Sequence, residues 1–164
     1  TLRIFGIFGK YEDYRFKFIS NAIAKNISQL PIIINQNVLY DYIYIEDFCE
    51  IIKIFIENDT AHKSYNITPN QTTSLLEIAH QVNLNARDKS EIIVLNDGLG
   101  VTYSGDNTRF FGNFGHFDYT DIAESISHLY KYYQSISHDI SKECLVSDFY
   151  LEYAKSLRNQ YFNN

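Results

Sequence analysis

The sequence predicts an α/β fold in which short strands alternate with amphipathic helices. Three observations carry that expectation. Stretches rich in β-branched and aromatic residues recur at 2–8, 31–35, 40–45, 65–68 and 91–95. Between them, apolar residues repeat at helical spacing. Gly, Pro and Asn sit at the junctions, as at Gly9, Asn35 to Asn37 and Pro69-Asn70. At 164 residues and 45% hydrophobic composition, the chain has the length of one domain and enough apolar material for a core.

The elements follow in order. Residues 2–8 (LRIFGIF) predict a buried strand closed by Gly9. Residues 10–14 are a polar loop. Phe16, Ile19, Ala22, Ile23 and Ile27 form a helical stripe that stops before Pro31. A β-branched strand covers 31–35, and Asn35-Gln36-Asn37 reads as a turn. The stretch YDYIYI (40–45) predicts the next strand. Glu46 and Asp47 then place negative charge at a helix start, where the dipole favours it. That helix carries Phe48, Ile51, Ile52, Phe55 and Ile56, and Cys49 is expected on its buried side as a small hydrophobe.

Residues 65–68 predict a strand, and Ser74 with Glu77 forms a capping-box signature ahead of Leu75, Ile78, Ala79 and Val82. A strand is expected at 91–95, with 97–100 as a loop. Residues 108–116, with two Gly and three Phe, predict an irregular segment. Thr120 or Asp121 caps a long helix carrying Ile122, Ile126, Leu129, Tyr133 and Ile136. A last helix begins near Ser147, with Phe149, Tyr153, Leu157 and Tyr161 on one stripe. Serines between 135 and 141 mark a soft boundary, which divides the chain into 1–135 and a helical extension, 136–164.

The formal charge of −6 argues against a nucleic-acid partner, which requires clustered Lys and Arg. Cys49 and Cys144 lie far apart and form no CxxC pair, so a reducing, cytoplasmic setting fits best. No apolar run approaches the length of a membrane span, and no signal peptide opens the chain. The five His are scattered, and no HExxH or Cys-containing ligand set accompanies them, so no metal site is expected. GxxGxxG, YxxxK, Walker and GxSxG motifs are all missing. The pairs Glu12-Asp13 and Glu46-Asp47 are explained by capping and solvation. The chain therefore carries no expected catalytic residue. It contains no Met, and Thr1 runs straight into a strand, which is the expected look of a segment from a longer protein.

Several motifs in order resemble the extended short-chain dehydrogenase/reductases that act on nucleotide sugars. Leu2-Arg3-Ile4-Phe5-Gly6-Ile7-Phe8-Gly9 resembles the family's LR-x-F-x-x-x-G strand. Residues 40–47 (YDYIYIED) resemble its RD-[YF]-[IVL]-x-V-x-D strand. Tyr65-Asn66 matches a YN strand, and Tyr103-Ser104-Gly105-Asp106 falls where the family carries R-x-x-D. The similarity covers roughly residues 1–135. It implies a partial Rossmann-type architecture, with 1–135 as the substrate-binding portion and the N-terminal nucleotide-binding half outside this chain.

By the same resemblance, Phe5, Gly6 and Ile7 would border the cofactor, NAD or NADP, which the missing half would bind. Tyr40, Asp41, Tyr42, Tyr103 and Asp106 would contact a nucleotide-sugar substrate. The family usually has Arg at the positions of Tyr40 and Tyr103, where it grips the diphosphate. A phenol cannot reproduce that bidentate, charged contact. Either other cations hold the diphosphate, with Lys10, Arg15, Lys17 and Arg109 as candidates, or the substrate differs. Tyr40, Tyr42, Tyr103 and Asp106 are expected on one concave side. Epimerase, dehydratase and ketoreductase activities stay undivided by these residues, and none of them bears on oligomeric state. A stand-alone binding or interaction module derived from the same fold is the alternative.

Overall fold

The computed structural model describes the backbone of residues 1–162 and the side chains of residues 1–156. The order of elements is α/β, as expected. It begins with β1 (Leu2–Ile4), β2 (Gly6–Phe8) and α1 (Phe18–Ile27). β3 (Ile32–Asn37), β4 (Leu39–Tyr40), β5 (Tyr42–Tyr44) and α2 (Ile45–Glu57) follow. Then come β6 (Tyr65–Ile67), β7 (Thr73–Ser74), α3 (Leu75–Asn85) and β8 (Ile92–Leu99). The chain closes with α4 (Thr108–Phe114), α5 (Ile122–Ser135), a 3-10 turn (Ser137–Asp139), α6 (Lys142–Ser147) and α7 (Phe149–Phe162).

The strands pair two by two among the described residues. β1 runs parallel to β6, β2 to β5 and β3 to β8, while β4 is antiparallel to β7. The expected strand over 2–8 is thus two strands that part at Phe5 and choose different partners. The YDYIYI strand likewise breaks at Asp41. β3 runs on through the expected turn at 35–37, and β8 runs through the expected loop to Leu99, because each supplies the other's ladder beyond a bulge at Gln36/Asn37. Gly9 lets the turn after β2 pass close to α2, since a Cβ there would collide with the Ile45 side chain.

Among the described residues two apolar clusters form the core. The larger gathers Ile19, Ala22 and Ile23 of α1, Ile32 and Ile34 of β3, and Ile78 and Val82 of α3. Ile126, Leu129 and Tyr133 of α5 and Tyr150 of α7 complete it. The smaller joins Ile43, Ile51, Tyr65, Ile67 and Phe110. Each fully buried large apolar side chain stabilises the fold by about 1.5–3 kcal/mol relative to exposure.

Several local expectations are corrected. Residues 108–114 are helical, because Phe110 anchors α4 in the smaller core, and the helix stops at Gly115, where φ is +80°. Phe16 lies ahead of α1 and is exposed, as is Ile56 at the far side of α2. Cys49 is exposed as well, since Ile51 and its neighbours, not Cys49, face the core. Among the described side chains of α7 the buried ones are Tyr150 and Leu151, while Phe149 and Tyr153 are exposed. The Leu157 and Tyr161 side chains lie outside the described residues. The capping box at Ser74 and Glu77 is present, and Asp121 caps α5 by accepting from Ala123 N at 2.8 Å. Among the described residues, no helix is long and apolar enough to cross a membrane.

Candidate functional site

A cavity of about 380 Å³ opens between the β2–β5 pair, the start of α1 and the first turns of α7. Phe5, Gly6, Ile7, Tyr40 and Tyr42 line it, together with Glu12, Phe16, Lys17 and Tyr150. The break at Asp41 explains the lining. Tyr40 and Tyr42 lie two apart and face the same side, and Asp41 faces the other. Asp41 is buried, and its carboxylate accepts from Gly105 N at 2.8 Å, so it braces the loop after β8. Burial is the main cause that raises its pKa.

Tyr103 contacts the aromatic rings from that loop. Its ring lies 5.3 Å from Phe5 and 5.8 Å from Tyr40, and Tyr40 lies 5.4 Å from Tyr42. Tyr103 is half exposed. Gly105 lets the loop approach, since a Cβ there would collide with the Phe5 ring. Asp106 acts on its own loop. Its carboxylate accepts from Thr108 N at 2.8 Å and from Thr108 Oγ1, which opens α4. Those bonds hold its pKa below the usual carboxylate range. Tyr40, Tyr42 and Tyr103 thus form one run of ring contacts, but neither Tyr103 nor Asp106 lines the cavity, so the four residues expected on one concave side do not all share its wall.

The cations divide. Lys10 pairs with Glu46 at 3.7 Å on the surface. Arg15 is held by Asp13 at 2.7 Å. Arg109 is exposed on α4. Of the four diphosphate candidates, Lys17 is the one that lines the cavity.

The acidic pair Glu12-Asp13 splits in role. Asp13 accepts from Arg15 N at 3.0 Å and from its guanidinium, which is a turn brace. Glu12 faces the cavity, and burial pushes its pKa up to about 7. Ser20 Oγ donates to its carboxylate, and Tyr133 Oη donates to its backbone carbonyl at 3.0 Å. Glu12, expected from the sequence to be solvated beside Asp13, is instead drawn into the cavity wall, and Tyr150 is not singled out by the sequence; the residues that cover both lie far off in the chain. Tyr42 is also raised well above the usual phenol range, first by burial and then by Tyr150, Tyr40 and Glu12 around it. The cavity is therefore aromatic-walled, rich in neutral phenols, and carries one carboxyl that can hold or release a proton near neutrality.

A second hollow of about 280 Å³ lies beyond Phe8 and Tyr42. It is floored by Asp47, Tyr119, Thr120 and Asp121. Asp47 is committed there: it accepts from Thr120 N at 3.0 Å and from Thr120 Oγ1 at 2.6 Å. Among the described residues, no group of three or more His, Cys, Asp and Glu is placed to hold a metal ion.

Residues 1–68 match the model of the NAD dependent epimerase/dehydratase family. The fold is similar to part of several solved enzymes. It is similar to a GDP-L-fucose synthetase from Naegleria fowleri (TM-score 0.73, 12% identity, covering 86% of this chain and 47% of that one). It is also similar to a UDP-glucuronic acid 4-epimerase from Bacillus cereus, solved in complex with UDP-glucuronic acid and NAD (TM-score 0.69, 15% identity, 82% and 45%). A UDP-N-acetylglucosamine 4-epimerase from the same organism gives 0.68, at 12% identity with 81% and 45% covered. The chain spans less than half the length of each of these proteins. A search of curated proteins returned no match. The resemblance read from the ordered motifs is thus shown at two levels: the family pattern over residues 1–68 and the extended Rossmann-type fold over most of the chain.

Proposed function

We propose that this chain is the nucleotide-sugar-binding lobe of an NAD- or NADP-dependent sugar epimerase, dehydratase or ketoreductase. One observation supports the reading best. Phe5, Gly6, Ile7, Tyr40 and Tyr42 all fall inside the segment that carries the family pattern, and all five line one cavity.

In this reading the dinucleotide is held outside this lobe, which borders it only at Phe5, Gly6 and Ile7. No glycine-rich turn leads into a helix here, and the one cation lining the cavity among the described residues is Lys17. Gly6 is not an open cradle either, since a Cβ there would meet Asp41 O and Tyr42 Cδ1 at 3.0 Å. The step at the sugar carbon is assigned to no residue of this lobe. Its share is orientation: aromatic faces for the sugar or base, phenols for hydroxyls, and Lys17 at the mouth for phosphate charge.

The test is expression of the full reading frame, with NAD or NADP and a panel of nucleotide sugars, following cofactor absorbance. Turnover of a nucleotide sugar supports the reading. A protein that binds neither nucleotide sugar nor dinucleotide overturns it. The alternative, a stand-alone binding module derived from this fold, draws on Tyr40 and Tyr103 standing where the family carries Arg. That alternative predicts ligand binding with no cofactor dependence.

A further inference from the structure

We propose that Tyr150, supplied by α7 from beyond residue 135, is a ligand-contacting residue that hydrogen-bonds a hydroxyl-bearing ring held against Tyr42 and Glu12. The inference rests on the reading of the cavity as the sugar site, and it adds a specificity-determining position that the family pattern over residues 1–68 does not contain.

Three features of the cavity carry it. First, Tyr150 is only 8% exposed, yet it lines the same cavity as Tyr42 and Glu12. Second, no protein hydrogen bond among the described residues engages the hydroxyl of either Tyr42 or Tyr150. Among the described residues the atom sealed off without a partner is Tyr119 Oη, and Tyr42 and Tyr150 both line the cavity. A largely buried phenol seeks a partner, and each can both donate and accept. Third, Tyr150 is held in place. Its ring packs 5.4 Å from Phe18. Asp148 just before it accepts from Leu151 N at 3.2 Å and pairs with Lys25 of α1 at 2.5 Å. The phenol is thus positioned before any ligand arrives, which lowers the ordering cost of binding.

The ligand chemistry follows from the lining. Phe5, Phe16 and Tyr40 offer apolar faces, while Tyr42, Tyr150 and Glu12 offer hydroxyl partners. A cavity of about 380 Å³ is at the small end for ligand sites. It suits a single hydroxylated ring better than a whole nucleotide sugar. The nucleotide would then lie toward Tyr103 and Lys17.

The experiment uses the protein expressed from its full reading frame. Calorimetry compares UDP-glucose, UDP-N-acetylglucosamine and GDP-mannose, each against its parent nucleotide, UDP or GDP. Wild type is expected to bind at least one sugar conjugate more tightly than the parent nucleotide. Tyr150→Phe keeps the ring and its packing. It should weaken that conjugate by about tenfold, the scale of one lost hydrogen bond, and leave the parent nucleotide within about twofold. If the variant retains the full preference, or weakens both ligands equally, the assignment of Tyr150 is overturned while the lobe reading stands. If wild type binds none of the conjugates, both fall.

Discussion

Glu12 shows how one residue's surroundings set its chemistry. Its pKa is raised from 4.5 to about 7, chiefly by burial, with Ser20 and Lys17 opposing. The folded state therefore holds a proton that the unfolded chain has already released between those values. Stability from this group is fully present below about pH 4.5 and is lost as pH rises toward 7. The expected loss is on the order of 3 kcal/mol. Urea denaturation between pH 5 and 8 should show this decline in wild type, and Glu12→Gln should flatten it and be the more stable protein at pH 8. A slope unchanged by the substitution would mean that Glu12 is solvated. Its neighbour Asp13, fixed by Arg15, has its pKa lowered by that contact, so adjacent carboxyls behave oppositely.

At the scale of elements, the joint between α6 and α7 holds a buried ion pair. Asp148 sits in the left-handed region at φ +48°, caps α7, and meets Lys25, whose side chain is 2% exposed. Removing one member of a buried pair leaves the other uncompensated, at a cost of about 3–5 kcal/mol. Lys25→Met should be strongly destabilising in chemical denaturation, and Asp148→Asn less so, because the amide can still cap α7. Lys25→Met with Asp148→Asn should recover much of the loss, since no charge is stranded and Asn keeps the cap and tolerates the left-handed turn. A double variant as unstable as the sum of its parts would show that the two side chains are not coupled. α4 makes a related point: Phe110 supplies enough buried surface for a seven-residue helix to form from a sequence with two nearby glycines.

At the scale of the molecule, the cavity lies where elements far apart in the chain converge: β2 and β5, the loop before α1, and α7. A ligand seated there touches the native arrangement and not the unfolded chain. A nucleotide sugar present at about 100 times its Kd should add about 2.7 kcal/mol of stability, read as a rise in Tm. Tyr150→Phe should shrink that rise for the sugar conjugate and leave the smaller rise from UDP or GDP unchanged. An equal shift for conjugate and nucleotide would place the sugar outside the cavity.

The sequence alone determined the alternation of strands and helices, the capping box at Ser74, the Asp121 cap and the ordered motifs through Tyr65-Asn66. These rest on spacing and local hydrogen bonding, which neighbours in the chain supply. It also drew attention to Phe5, Gly6, Ile7, Tyr40 and Tyr42 as a set. Only the tertiary structure decided that 2–8 and 40–45 each split in two, that 108–114 is a helix, and that Glu12 and Tyr150 face a cavity. Strand partners, burial and the raising of a pKa come from residues tens of positions away. Period and propensity do not encode those contacts until the chain has folded.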